Sequence, residues 1–150
     1  MAERVQEQLG AWRAMVLAVG SVRDVLEREI ESKGGLHLTW YEVMANLSDA
    51  PGHRMRMQDL AERSLLSKSG LSQATAHMEE AGLVRRENCE SDRRGTFAVL
   101  TDEGERKFKE VEAVHLRAIQ ESFTSHLNEE EAHALRTALE KIAKACPKTA

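Results

Sequence analysis

Leu9, Trp12, Val16, Val19, Val22, Leu26 and Ile30 recur at steps of three and four, the spacing of one helix face, and predict a helix over about residues 5–32. Lys33-Gly34-Gly35 ends it, glycine being the usual residue just past a helix. Thr39 and Glu42 have the spacing of a capping box, so a second helix is expected from Thr39 to about Ser48, ending at the turn 49–52. Beyond it, Met57–Ser64 reads as a short helix and Leu65-Leu66-Ser67 as a tight connection. Ser67 is a good N-cap for a further helix, Lys68–Ala81, which Gly82 terminates. Two helices joined by so short a turn form a helix-turn-helix, here expected to pack through Leu60, Ala61, Leu65, Leu71, Met78 and Leu83.

After Gly82 the period drops from about 3.6 to 2. Residues 83–88 read as one strand and 96–100 as another, with a basic hairpin over 89–95 between them. A hairpin directly behind such a helix pair is the wing of a winged helix. Thr101 then caps a long helix of roughly 25 residues, about 37 Å. Its apolar stripe is Phe108, Val111, either His115 or Leu116, Ile119 and Phe123. Asn128 with Glu131 makes another capping box. In the helix behind it Leu135, Leu139, Ile142 and Cys146 repeat at four, three and four, like a coiled-coil seam. The expected fold is mainly α with a small β-wing.

At 150 residues, 41% hydrophobic and 31% charged, the chain is expected to be one soluble globular domain. No apolar run approaches the roughly 20 residues of a bilayer crossing, and residues 1–15 do not resemble a signal peptide. Two cysteines, Cys89 and Cys146, are too few and too distant for a disulfide framework, and a cytoplasmic location is expected by default. The net charge of −4 is unpromising for a polyanion partner, but its distribution is not uniform. Residues 51–100 carry eight basic and seven acidic side chains, whereas the remainder carries 13 and 18. The middle third is therefore the face on which nucleic acid is expected.

On that face the second helix of the pair turns Lys68, Ser69, Ser72, Gln73, Ala76 and His77 outward, behind the capping Ser67. Short polar groups, an amide and a cation suit the edges of bases in the major groove. Gln73 is the best candidate for a bidentate contact to adenine, and Lys68, at the helix start, for a phosphate. A winged module of about 60 residues is too small to cover the stripes on both terminal helical regions. They are expected to bury against each other and against a second copy, giving a two-fold homodimer whose recognition helices enter successive major grooves.

The ordered set LAERSLLSKSGLSQATAHMEEAGLVRR, SDRRG and AVLTDEG, at its spacing, resembles the multiple antibiotic resistance regulator (MarR) family over about Trp12 to Ile142. The resemblance implies a DNA-binding regulator, most simply a repressor of nearby genes on a pseudo-palindromic operator. It implies a dimerisation lobe built by both termini, about 1–35 and 102–146, and a DNA-binding lobe over about 39–100. It further implies a wing shaped by Asp92 with Arg93 and Arg94, one arginine pairing the carboxylate and the other entering the minor groove. Between the lobes it implies a crevice for a small, often aromatic, anionic effector that weakens DNA binding. Trp12, Met15, Trp40, Tyr41 and Met44 either line that crevice or fill the core. Urate-responsive relatives carry an arginine where this chain has Ala74, although Glu42 matches their acidic residue.

Other chemistries find less support in the residues. Cys89 sits between Glu87 and Glu90, which raise a thiol's pKa and blunt a redox switch, and Cys146 reads as core or seam. His115, with Val111 and Ile119 four residues to either side, lacks the clustered pair that a metal-responsive regulator of this fold needs; His126 and His133 straddle a helix boundary. No cofactor is expected. Cys89 with His77 is the only nucleophile–base pair to consider, and no nucleophile elbow, phosphate loop or metal-hydrolase motif accompanies it, so an enzyme is not expected.

Overall fold

The computed structural model describes residues 2–89 and 92–146, with the side chains of Ala2, Cys89, Asp92, Arg93 and Arg94 outside that description. The first helix, α1, runs Ala2–Glu29 and widens into a π-helical turn, Ile30–Gly34, before Gly35 ends it at φ 58°. Gly34 is buried here, where an added Cβ would lie 3.0 Å from Val111. α2 spans Leu38–Ser48. A turn at Pro51–His53, with Gly52 and His53 both at positive φ, leads into a three-residue strand, β1, Arg54–Arg56. α3 (Met57–Arg63) and α4 (Lys68–Glu80) follow, then β2 (Val84–Cys89) and β3 (Asp92–Leu100). α5 (Asp102–Ser122) and α6 (Glu129–Ala145) complete the chain.

The sheet is antiparallel in the order β1-β3-β2, with Arg56 opposite Phe97 and Glu87 opposite Phe97 on the other side. β1 escaped the sequence pattern because three residues are too short to display a period of two. β3 begins at Asp92, so the strands extend further towards the tip than residues 96–100 alone suggested. The core lies where α2 meets the C-terminal end of α1, α4 and α5, with Ile30, Val43, Met44, Leu60, Met78 and Val111 all fully enclosed.

Three of the four predicted caps are present. Ser67 Oγ accepts from the Gly70 N–H at 3.1 Å, and Thr101 Oγ1 from the Gly104 N–H at 3.0 Å. Asn128 and Glu131 form the reciprocal box. The fourth is overturned: α2 is capped at His37 without a side-chain bond, and Thr39 lies inside the helix. Leu38 is buried and its N–H donates to the Glu27 carboxylate of α1 at 3.4 Å, so a neighbouring element satisfies a helix-start donor and the helix begins early. Glu42, freed from capping, pairs with Arg23 at 2.5 Å.

Leu65 is a second correction. It is 71% exposed at the turn between α3 and α4, and Leu66 is the partly buried member of the pair. The alternatives left open on α5 resolve towards His115, half-buried against Tyr41, while Leu116 is exposed. α5 ends at Ser122, shorter than the roughly 25 residues expected. Val5, Leu9, Trp12, Val16 and Val19 form an exposed stripe on α1, and Leu139 and Ile142 are exposed on α6, as is Cys146.

Candidate nucleic-acid interface

α4 owes its orientation to the residues it hides. Leu71, Thr75 and Met78, at steps of four and three, are buried on one face. The Thr75 hydroxyl donates back to the Leu71 carbonyl at 2.9 Å, which satisfies the polar group without a partner from outside the helix. With that face fixed, Ser67, Lys68, Ser69, Ser72, Gln73 and His77 are exposed and Ala76 is half-exposed. All seven sequence-predicted positions therefore lie on the α4 face that the core does not cover. The Ser67 cap also hydrogen-bonds the Ser69 hydroxyl at 3.2 Å. Gly70 is closely packed beneath the cap, a Cβ there meeting Ser67 Oγ at 3.2 Å.

The wing rises beside this helix. The backbone of Asp92, Arg93 and Arg94 lies in β3, while their side chains fall outside the described residues. Between α3, α4 and the base of the wing runs an open groove of about 530 Å³, lined in part by Arg56, Gln58, Lys68, Ser72, Arg86 and Thr96. Arg86, one of these lining residues, is tied to α4. Its backbone N–H donates to Glu79 Oε1 at 3.0 Å, its Nη2 to the Ser72 carbonyl at 3.5 Å, and its Nε faces Glu79 Oε2 at 3.4 Å. On the outer flank, the Arg54 and Arg56 guanidinium groups lie 4.1 and 5.6 Å from the Phe97 ring centre, and Glu87 joins Arg85 to Arg54. Arg54, Arg56 and Arg86 were not singled out in the sequence. The only signal was an excess of arginine in the middle third, and the short strand that aligns two of them was invisible.

The five residues considered for an effector crevice separate. Tyr41 and Met44 are buried, Trp40 and Met15 are partly buried, and Trp12 is 59% exposed on the α1 stripe. Tyr41 stacks on Phe108 with centroids 5.3 Å apart and meets the His115 ring at 4.4 Å. Burial pushes the Tyr41 phenol up to about 12, helped by the nearby Glu112 and Asp49 carboxylates. Burial also lowers the His115 pKa against the opposing pull of Glu42 and Glu112, and its Nδ1 is enclosed without a hydrogen-bond partner. The Arg23–Glu42 pair lies at the junction of α1 and α2. Among the described residues no group of three or more His, Cys, Asp or Glu is placed to hold a metal, and no helix is long and apolar enough to cross a membrane.

Comparison with known proteins gives this surface its context. Residues 34–95 match the model of the MarR family. The fold superposes with a TM-score of 0.88 on a MarR family transcriptional regulator from Streptomyces coelicolor in complex with DNA, at 32% identity, covering 97% of this chain and 90% of that one. AbsC, a MarR family transcriptional regulator from the same organism, gives a TM-score of 0.85 at 42% identity, over 91% of this chain and 92% of that one. The transcriptional regulator HosA of Escherichia coli O127:H6 is 35% identical over 91 residues, 61% of this chain and 65% of HosA; the match thus spans just under two thirds of this curated relative. With a capped second helix of the helix pair exposed beside a three-stranded sheet, and with relatives that are regulators rather than enzymes, the chain belongs to the MarR family of winged helix-turn-helix, DNA-binding transcriptional regulators.

Proposed function

We propose that the protein acts as a homodimeric repressor that reads a pseudo-palindromic operator with α4 and grips the flanking backbone with the wing. The observation that carries this reading is the outward face of α4, where Ser69, Ser72, Gln73 and His77 stand exposed together behind the Ser67 cap. Gln73 supplies the bidentate contact to a base, Lys68 and the wing arginines meet phosphates, and Asp92 shapes the wing. The exposed stripes of α1 and α6 supply the dimer contact, so that residues about 1–35 and 102–146 form one lobe and about 39–100 the other. A DNA complex of a relative at 32% identity supports the first part.

Control by a small effector is the second part of the proposal. An aromatic acid bound beside Trp40, against the Tyr41–His115 ring pair and the Arg23–Glu42 pair, would favour a state whose recognition helices are wrongly spaced. The test is a gel-shift titration of the protein on its own upstream DNA at several salt concentrations, repeated with a panel of phenolic and carboxylic compounds. Tight, sequence-dependent retardation relieved by one class of compound is the expected result. Binding that is indifferent to sequence overturns operator recognition, and relief by no compound overturns effector control.

A further inference from the structure

The contacts of Arg86 do not resemble those of an arginine offered to DNA. Its side chain, 32% exposed, reaches across to α4 and touches that helix twice. One contact is the Ser72 carbonyl and the other the Glu79 carboxylate, seven residues further on. Seven residues are two turns, so both contacts fall on one side of α4. The backbone N–H of Arg86 adds a third tie to Glu79 from β2 itself. The buried face of α4 fixes how the helix sits on the core; these ties, which meet at one residue of β2, fix where the wing stands against the helix's exposed edge.

Stability alone explains this arrangement poorly. The Arg86 Nε atom is enclosed yet makes no hydrogen bond, since at 3.4 Å from Glu79 Oε2 it has charge attraction without the alignment a hydrogen bond needs. An enclosed donor left without a hydrogen bond is a cost. A carboxylate at residue 79 is also unhelpful to a helix that approaches a polyanion. Both features make sense together if what they hold is geometry. Ser72 and Gln73 are adjacent, so the carbonyl that Arg86 grips belongs to the turn whose side chains face the groove.

We propose that Arg86 and Glu79 form a positioning pair that locks the wing to the recognition helix and thereby sets base specificity, without either residue touching a base. The pair rests on the reading that α4 enters the major groove. Base-edge hydrogen bonds weaken steeply with misalignment, whereas phosphate contacts tolerate it. Unlocking the wing from the helix therefore costs the operator complex and spares the complex with random DNA.

The test uses the full-length protein and compares its affinity for operator and for random duplex in Glu79→Gln, Arg86→Lys and the double variant. Glu79→Gln keeps an oxygen for the Arg86 backbone N–H and removes only the charge. Arg86→Lys keeps the charge and removes the fork. Each single variant should lower the operator-to-random ratio about tenfold, the scale of coupling between contacting residues, and the double variant should lose little more. The salt slope should stay unchanged in Arg86→Lys. Glu79→Gln should raise affinity for random DNA slightly while still weakening operator binding, an opposition of signs that simple charge repulsion does not produce. If Glu79→Gln strengthens both complexes equally, Glu79 is only a repulsive charge and the proposal fails. If Arg86→Gln, as a further variant, weakens both equally with a smaller salt slope, Arg86 is a phosphate ligand and the proposal fails. Circular dichroism of each variant separates these outcomes from misfolding. Failure of the wild-type protein to prefer operator at all would instead overturn the operator reading itself.

Discussion

Tyr41 is the only tyrosine in the chain, so its ionisation can be followed optically without interference from another phenol. Packed between Phe108 and His115, it is held neutral to about 12. In the unfolded chain it ionises near its ordinary 10.0, so the folded state binds its proton more tightly. The stability it contributes is complete below pH 10 and is lost as pH rises from there towards 12. Titration of the phenolate absorbance should give a native midpoint near 12 and a denatured one near 10, and a native midpoint near 10 would place Tyr41 in solvent. Gly104 makes a different demand. A Cβ there would lie 2.0 Å from the Leu83 carbonyl oxygen and 2.7 Å from Leu100 Cδ1, so α5 can start against β2 only with glycine at this point. Gly104→Ala should cost about 1–3 kcal/mol in denaturant unfolding, towards the upper end because a backbone oxygen cannot step aside. The sequence placed this glycine in a motif without revealing its reason, because the oxygen it avoids lies 21 residues earlier in the chain.

Among the elements, what was legible was what is local. The caps at Ser67, Thr101 and Asn128 each involve a side chain and a backbone N–H three residues apart, and all three are present. The start of α2 departs from the expected Thr39 because Glu27, 11 residues upstream, supplies the acceptor. Leu65 has the chemistry of a packing residue without the position, because a tight turn cannot point both its leucines inward. The exposed face of α4 was readable because the buried face has the period of a helix. For that element the expected result is asymmetric: Gln73→Ala should cost about 1–3 kcal/mol on the best operator and little on random DNA, as judged by filter binding. Equal losses on both would remove Gln73 from base readout.

At the scale of the whole molecule, the uncovered apolar surface is concentrated on the terminal helices. Trp12 is 59% exposed and Val19 52% on α1, and Ile142 is 52% exposed on α6. The proposed dimer has twice the 16.8 kDa mass of the chain. Because Leu139 and Ile142 are open within one subunit, Leu139→Glu with Ile142→Glu should leave the subunit folded and separate the dimer, where those carboxylates would be buried. Sedimentation should then report a folded species of single-chain mass with weakened operator binding. A wild-type monomer that still binds operator tightly would end the dimer proposal.

The apolar stripe of α1 is one continuous line that serves two surfaces. From Val22 through Leu26 to Ile30 it is closed over by its own chain, and from Val19 back to Val5 it is open. A helix of this kind behaves as a keyed shaft: the core clamps one end, and the clamped end dictates the angle that the free end presents. One alanine inserted after Gly20 would turn everything before it by about 100° and leave the clamp untouched. A seven-residue insertion would bring the shaft back to within about 20° of its starting angle, merely longer. Under the proposed dimer, association should therefore fail with one added residue and return with seven. Angular phase, rather than hydrophobic area, would then be the quantity that α1 transmits from the core to its partner.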